Sequence, residues 1–366
     1  MESKIVPSRK RHSKINRAAN HNISPAIGQM VCLLAVFFYV VFLYAVFCAV
    51  MPLALAGTAP QDAQNNKAQS HESPMLDGVE ADIDANKFAE TENRLNDYLK
   101  DHPDSARAYY DLGYVQFRTH QIGSSIKDLS KSLELNPKNA EAHKVLALSC
   151  SIIGRYDLAE VELQEAARLK PESAEIHYFL ARTYYTRGVY PLAEKEFEKA
   201  IQLNPAYIKA YSNLGITMEA LGNTDAALKN YTTAIQLEDR QPQKSEWPYI
   251  YLSAFYNRQK NPAEALTYAQ KAIDINSASD TAFFEIAKAY RTQKQLAKAV
   301  DAARSAIAIN SRVPDYYYVM GLVLRELGNQ QASEEALAKY AQLQQHSNDA
   351  LPEQKAQEPL VAPESR

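Results

Sequence analysis

The chain has 366 residues, of which 46% are hydrophobic and 23% charged, with a formal net charge of −3. That length exceeds one ordinary single-core domain, so several domains or an elongated repeat array is expected. The apolar content excludes disorder throughout, and the small net charge excludes a bulk polyanion binder.

The N-terminal 27 residues carry Lys4, Arg9, Lys10, Arg11, Lys14 and Arg17 against Glu2 alone, a net of +5 that leaves −8 on the remainder. Residues 1–29 therefore read as a basic tail. Residues 30–50 (MVCLLAVFFYVVFLYAVFCAV) follow, 21 positions without a charge. As a helix rising ~1.5 Å per residue they span roughly 31 Å, enough to cross a hydrocarbon core. Two readings of this run stay open. One is an uncleaved transmembrane signal anchor; the other is a secretory signal cut after Ala54-Leu55-Ala56. The run is longer than the apolar core of about 7–15 residues usual in cleaved signals, which favours the anchor.

Basic residues crowd the N-terminal side of the run, while residues 57–80 hold only Lys67, so the N-terminus is expected in the cytoplasm. Either reading puts everything downstream outside the cytosol, most simply on the periplasmic face of an inner membrane. A cleaved chain would be an exported soluble protein. The RKRH stretch beside such a run is more economically an orientation signal than a nucleic-acid patch.

Residues 51–85, rich in Gln, Asn, Ala and Ser, are expected as a flexible linker. Residues 86–103 (NKFAETENRLNDYLKDHP) show the pattern of a second helix without a first, and read as an N-terminal capping helix. From there a phrase returns: SKSLELNP ends at Pro137 and EKAIQLNP at Pro205. Pro103, Pro137, Pro171 and Pro205 are each 34 residues apart.

Counting back 24 and 12 residues from each closing position gives Gly113 with Ser125, Ala147 with Ala159, Ala181 with Ala193, and Gly215 with Ala227. Ser253 with Ala265, Ala287 with Ala299, and Gly321 with Ser333 continue the series. Every slot holds Gly, Ala or Ser, residues that make up only about a quarter of ordinary sequence. Small side chains at both slots let two helices cross closely. Seven units result: 104–137, 138–171, 172–205, 206–239, 240–277, 278–311 and 312–345. The fifth is longer by four residues within DRQPQKSEWP, read as a tolerated loop insertion. The last helix, QQASEEALAKYAQLQQ, is polar enough to face water, and residues 346–366 read as a disordered tail.

The 34-residue period, with TRGVYPLAEKEFEKAIQLNP (186–205) and ALGNTDAALKNYTTAIQLE (220–238), resembles the tetratricopeptide repeat family. The resemblance implies an all-α, right-handed superhelical solenoid of antiparallel helix pairs, here preceded by one transmembrane helix. It also implies a concave wall of first helices that binds extended peptides or partner helices. Some members grip chaperone C-terminal carboxylates with a set of two Lys, two Asn and one Arg. Asn213 falls on a favoured Asn slot, but Tyr178, Arg182, Trp247 and Tyr251 stand where its companions belong.

No catalytic constellation emerges: there is no phosphate-cradling glycine loop, nucleophile elbow, helix-borne zinc pair or paired-cysteine spacing. His143 and His177 are 34 apart, at a slot filled elsewhere by Tyr109, Tyr211, Tyr249, Phe283 and Tyr317, which favours packing over metal ligation. Cys150 reads as a small core residue. No enzyme activity, metal, cofactor or nucleic acid is expected.

The first-helix face turned away from the packing residues carries the candidate partner-binding groove. It comprises Arg107, Tyr110, Tyr114, Arg118, Lys144, Tyr178, Arg182, Tyr185, Asn213, Trp247, Arg258, Phe284, Lys288 and Arg291. Phe117, Lys209, Tyr318 and Arg325 lie on the same face, and Glu141, Glu175, Glu219 and Asp315 interrupt it. An aromatic, basic wall suits a protein or peptide partner bearing Asp, Glu or a free carboxylate. The expected role is a membrane-anchored extracytoplasmic scaffold in assembly of a cell-envelope complex. The alternative is a non-catalytic subunit guiding polysaccharide during secretion or synthesis.

Overall fold

Each 34-residue unit becomes two helices joined by a three-residue turn. The computed structural model describes residue 76 and residues 78–349, and among these it contains sixteen α-helices and no strand. The first pair is α1 (Val79–Asp84) and α2 (Phe88–Asp101). Then come α3 (Ala106–Arg118) with α4 (Ile122–Leu135), α5 (Ala140–Ile152) with α6 (Tyr156–Leu169), and α7 (Ala174–Thr186) with α8 (Tyr190–Leu203). The second half holds α9 (Ile208–Ala220) with α10 (Thr224–Glu238), α11 (Trp247–Arg258) with α12 (Pro262–Ile275), α13 (Asp280–Thr292) with α14 (Leu296–Ile309), and α15 (Pro314–Glu326) with α16 (Gln330–Asp349).

Local chemistry sets the helix ends. Ser105, Asn139, Ser173 and Ser279 accept backbone N–H groups at the starts of α3, α5, α7 and α13, satisfying donors the helix leaves open. In the closing phrases, the side-chain oxygens of Asn136, Asn204, Asn276 and Asn310 accept the N–H two residues on. Such a turn stops one helix and aims the next. Between the two helices of a unit the chain passes through left-handed backbone at Gly154, Gly188, Gly222 and Gly328, with φ of 75 to 80°. The same slot is filled by His120, Lys260 and Lys294 in other units, at φ of 57 to 60°.

The small pairs sit where the two helices of a unit touch. Ala147, Ala159, Ala181, Ala193, Ala227, Ala265, Ala287 and Ala299 are wholly buried. Where serine takes a slot it adds a bond across the crossing: Ser125, Ser253 and Ser333 each donate to the carbonyl of their partner, Gly113, Ala265 and Gly321 respectively in the pair, at 2.8 Å. Successive first helices touch directly, whereas successive second helices scarcely meet. First helices therefore form the tighter, inner side of the stack.

The N-terminal end differs from the sequence expectation. The last part of the stretch read as linker, 51–85, contains α1, so the helix of 86–103 has a partner. Leu76 and Val79 are wholly buried against Leu95 and Leu112, and Asp82 pairs with Lys87 and Arg94. Six acidic-rich residues, VEADID, are too few for a helical period to be read. At the other end α16 continues to Asp349, into the stretch read as tail. The basic tail, the apolar run 30–50, most of the linker and residues 350–366 lie outside the described residues. Among the described residues no helix is long and apolar enough to cross a membrane.

The insertion of the fifth unit is tied down. The buried Glu238 carboxylate accepts the Ser245 N–H at 2.6 Å, Asp239 accepts the Tyr249 hydroxyl and pairs with Lys244, and Asn276 donates to Glu246 at 2.8 Å. Burial, above all, pushes the Glu238 carboxyl upward.

Candidate functional site

The candidate groove residues all lie on first helices, but most of their cations are already neutralised. Lys144 lies 2.6 Å from both Glu141 and Glu175, with its side chain only 13% exposed. Arg258 makes a two-pronged bond to Glu219 at 2.6 and 2.8 Å, and Glu219 also accepts the Tyr231 hydroxyl. Lys288 pairs with Glu285, and Arg291 with Glu326. Arg107 donates to the Leu76 carbonyl and faces Asp111. The expectation of a wall left basic overall is corrected here: Glu141, Glu175 and Glu219, read as interruptions, are counterions of the cations beside them.

The aromatic residues are likewise partly consumed by packing. Tyr178, expected to face a partner, is only 4% exposed and packs against Phe179, Phe197 and Tyr207. Phe284 rests on Tyr316, Tyr185 on Tyr190, and Tyr110 stacks with Tyr114. Arg118 lies over the Phe88 and Tyr114 rings and donates to the Tyr114 hydroxyl.

The centre of the wall is different. Arg182, half-buried on α7, sits over the rings of Tyr178 and Phe179 at 5.6 and 5.9 Å, and no carboxylate pairs with it among the described residues. Asn213 on α9 donates to the Tyr178 hydroxyl and to the Lys209 carbonyl. The phenol of Tyr251 on α11 is pushed up to about 12, by burial first and then by Tyr178, while Arg182 draws it the other way. Tyr251 packs beside Trp247. Arg182 therefore brings an uncompensated guanidinium to a patch made by three successive first helices. Exposed Lys209 adds a second cation without a carboxylate partner among the described residues.

Family models agree with this architecture. One described as TPR repeat matches residues 181–222, and others described as tetratricopeptide repeat match 76–140, 213–280 and 314–346. Together they cover more than half of the chain. The protein belongs to the tetratricopeptide repeat family. The match to residues 76–140 begins ahead of α1, so the leading helix pair carries the repeat signature as well as its shape.

Among solved structures, this tetratricopeptide repeat protein is similar to a chain of the APC/C hetero-tetramer Cut9-Hcn1, with TM-score 0.58 and 17% identity over 70% of this chain. It spans half the length of that chain. A tetratricopeptide repeat protein from Parabacteroides merdae gives the same score and identity over 68% of this chain and 97% of its own. At that identity the likeness shows the fold. No curated protein sequence matches the chain.

Sequence reasoning placed His143 and His177 in the repeat but missed what they bind. Each contacts a carboxylate on the second helix of its own unit, Glu162 or Glu196, and a proline carbonyl of the preceding turn. The signal was available, since Glu162 and Glu196 are themselves 34 apart and each lies 19 after its histidine. No group of side chains among the described residues is arranged to hold a metal. Burial pushes the Cys150 thiol up to about 11, which keeps it protonated near neutrality.

Proposed function

We propose that this protein is a membrane-anchored, extracytoplasmic scaffold that captures an acidic peptide segment of a partner across the centre of its inner wall. The family fold supports protein interaction as the general role, since a stack of helix pairs offers a long continuous surface. The observation that carries the finer reading is Arg182. An arginine without a counterion, backed by aromatic rings and next to Asn213, gains a charge-assisted bond when a carboxylate arrives. Lys144, Arg258, Lys288 and Arg291 must first give up a carboxylate of their own.

The anchor in residues 30–50, and a location facing the periplasm, rest on the apolar run and the basic residues before it. Assembly of an envelope complex is the role such a tether and scaffold would serve. Peptide is favoured over polysaccharide because Tyr178, Tyr185 and Phe284 are engaged with other rings rather than offered as free stacking faces.

Crosslinking on intact membranes with the full chain tests the reading. The crosslinked partner should be lost with Arg182→Glu and retained when the outer-helix residues Lys131 and Lys199 are both changed to Glu. Capture should also weaken as salt rises, because exposed attractions are screened within about 8–10 Å at 0.1–0.15 M ionic strength. Equal loss from both variants, or capture indifferent to salt, would place recognition elsewhere.

A further inference from the structure

His143 and His177 are buried at the slot that Tyr109, Tyr211, Tyr249, Phe283 and Tyr317 fill in the other units. Each ring joins three elements. Its Nδ1 lies 2.6 Å from a carboxylate on the second helix of its own unit, Glu162 on α6 or Glu196 on α8. Its Nε2 lies 3.1 Å from the carbonyl of Pro137 or Pro171, six residues back in the connector from the unit before. The seventh unit shows the same reach with another donor, the Tyr317 hydroxyl, which meets the carbonyl of Ser311, again six residues back, at 3.2 Å. In these three units the slot fastens a first helix to the connector that precedes it. Only in the second and third units does it hold a group whose charge changes near neutrality.

The two bonds of each ring respond differently to loss of a proton. A carboxylate and a carbonyl both accept, so the imidazolium serves both and a neutral ring serves one. The proton that stays is the one on Nδ1, because a bare Nδ1 would set its lone pair against a full charge, whereas a bare Nε2 faces only a carbonyl dipole. The bond kept is therefore inside the unit, and the bond lost is to the connector.

The charges around the rings are placed on every side. Glu162 and Glu165 on α6 favour the proton on His143, Glu165 being itself paired with Arg168. Glu196 favours it on His177 and Lys199 on α8 opposes it. On the helices that carry the rings, Lys144 is paired with Glu141 and Glu175, and at the end of α4 Lys131 is paired with Glu134. Lys138 and Glu172 follow the two prolines and are exposed.

We infer that His143 and His177 are proton-operated latches on two consecutive connectors. With both ring nitrogens protonated, each latch ties its helix pair to the connector before it. Loss of the Nε2 proton to water frees the connector while the helix pair stays closed. Since α7 carries Arg182, the proton controls how firmly the N-terminal part of the inner wall is held. The inference is independent of what the wall binds.

Hydrogen exchange read by mass spectrometry on the full chain in detergent tests it. Amide rates in residues 136–143 and 170–177, each divided by its chemical rate at the same pH, report protection of the two connectors. A raised pKa means the connector bond is complete at low pH, so protection should fall about tenfold as pH rises from about 6.5 through the raised folded values, as for loss of a hydrogen bond to a charged group. Residues 310–317, fastened by the Tyr317 hydroxyl, should keep their protection. The double variant His143→Gln/His177→Gln, whose amides do not titrate, should lose the pH dependence, and His143→Tyr/His177→Tyr should behave as residues 310–317 do.

Constant protection at both connectors of the wild-type chain overturns the inference. So does an equal fall across 310–317, which would mean general loosening, and this comparison needs no variant. A pH dependence that persists in both double variants overturns the assignment to the histidines. An equal fall within α6 and α8 would show that the bond inside the unit is lost as well, and overturns the selective release.

Discussion

The ring of His177 is held between two acceptors, its Nδ1 2.6 Å from the Glu196 carboxylate and its Nε2 3.1 Å from the Pro171 carbonyl. One unit earlier His143 repeats the arrangement with Glu162 and Pro137 at the same distances. A carbonyl and a carboxylate cannot donate, so only the doubly protonated imidazolium satisfies both sides.

Both histidines accordingly have raised pKa values. For His177 the Glu196 hydrogen bond is the largest cause, opposed by burial and, more weakly, by Lys199. For His143 burial is the largest influence and acts downward, but the bonds to Glu162 and Pro137 and the charges of Glu162 and Glu165 outweigh it. A group whose folded pKa exceeds its unfolded value stabilises fully below the unfolded value of about 6.5, and loses that contribution as pH rises through the folded one. The thermal midpoint should therefore fall as pH rises from about 6.5 through the raised folded pKa values. The double variant His143→Gln/His177→Gln should show a flatter profile. A wild-type midpoint that rises across that interval would contradict the imidazolium assignment.

Overpacking the helix crossing should be far more damaging than trimming the wall beside it. Ala181 is wholly buried at its crossing with Ala193, so Ala181→Leu should destabilise by about 1–3 kcal/mol or more. Gly215→Ala belongs to the same class, since a Cβ there would come within 2.6 Å of the Tyr231 ring. Arg182→Ala removes only ring contacts and should cost no more than about 1 kcal/mol. Urea denaturation of the three variants gives the ranking; a more damaging Arg182→Ala would mean the helix phasing is in error.

Lys260 is in left-handed backbone at φ 57°, at the slot that is glycine in four units. An L-residue there carries roughly 1–2 kcal/mol of strain, which glycine relieves at some cost in unfolded-chain entropy. Lys260→Gly is expected to be neutral or stabilising by up to about 1 kcal/mol. Gly222→Ala, which imposes the strain instead, should destabilise by about 1 kcal/mol. Parallel thermal melts decide both, and opposite signs would show that the turn geometry differs from that described.

The proposed anchor is tested by the mass of the mature chain. Intact-mass spectrometry of protein extracted from membranes should find residues 30–50 still attached. A chain beginning at Gly57 would replace the anchor with an exported soluble protein.

The repeat was legible from Pro103, Pro137, Pro171 and Pro205 and from the small pairs, because each reports a local requirement: a helix stop or a close crossing. Such requirements recur at a fixed interval whatever lies elsewhere. The short α1 escaped notice because six residues of mostly acidic character show no period, and its burial depends on Leu76 and Val79 meeting Leu95 and Leu112 from later helices. Glu162 and Glu196 do repeat at the 34-residue period, but their role exists only once the second helix lies against the histidine.

Sequence alone thus determined that the described region is a stack of helix pairs, since that follows from interactions within one unit. Only the tertiary structure decided the charge of the inner wall. Lys144 finds Glu175 at 31 residues, Arg291 finds Glu326 at 35, and Arg258 finds Glu219 at 39. Long side chains bridge adjacent helices at staggered heights, so no fixed offset near 34 picks out the pairs. Arg182 is distinguished from its neighbours by where the carboxylates are in space, and that is settled by how one unit leans on the next.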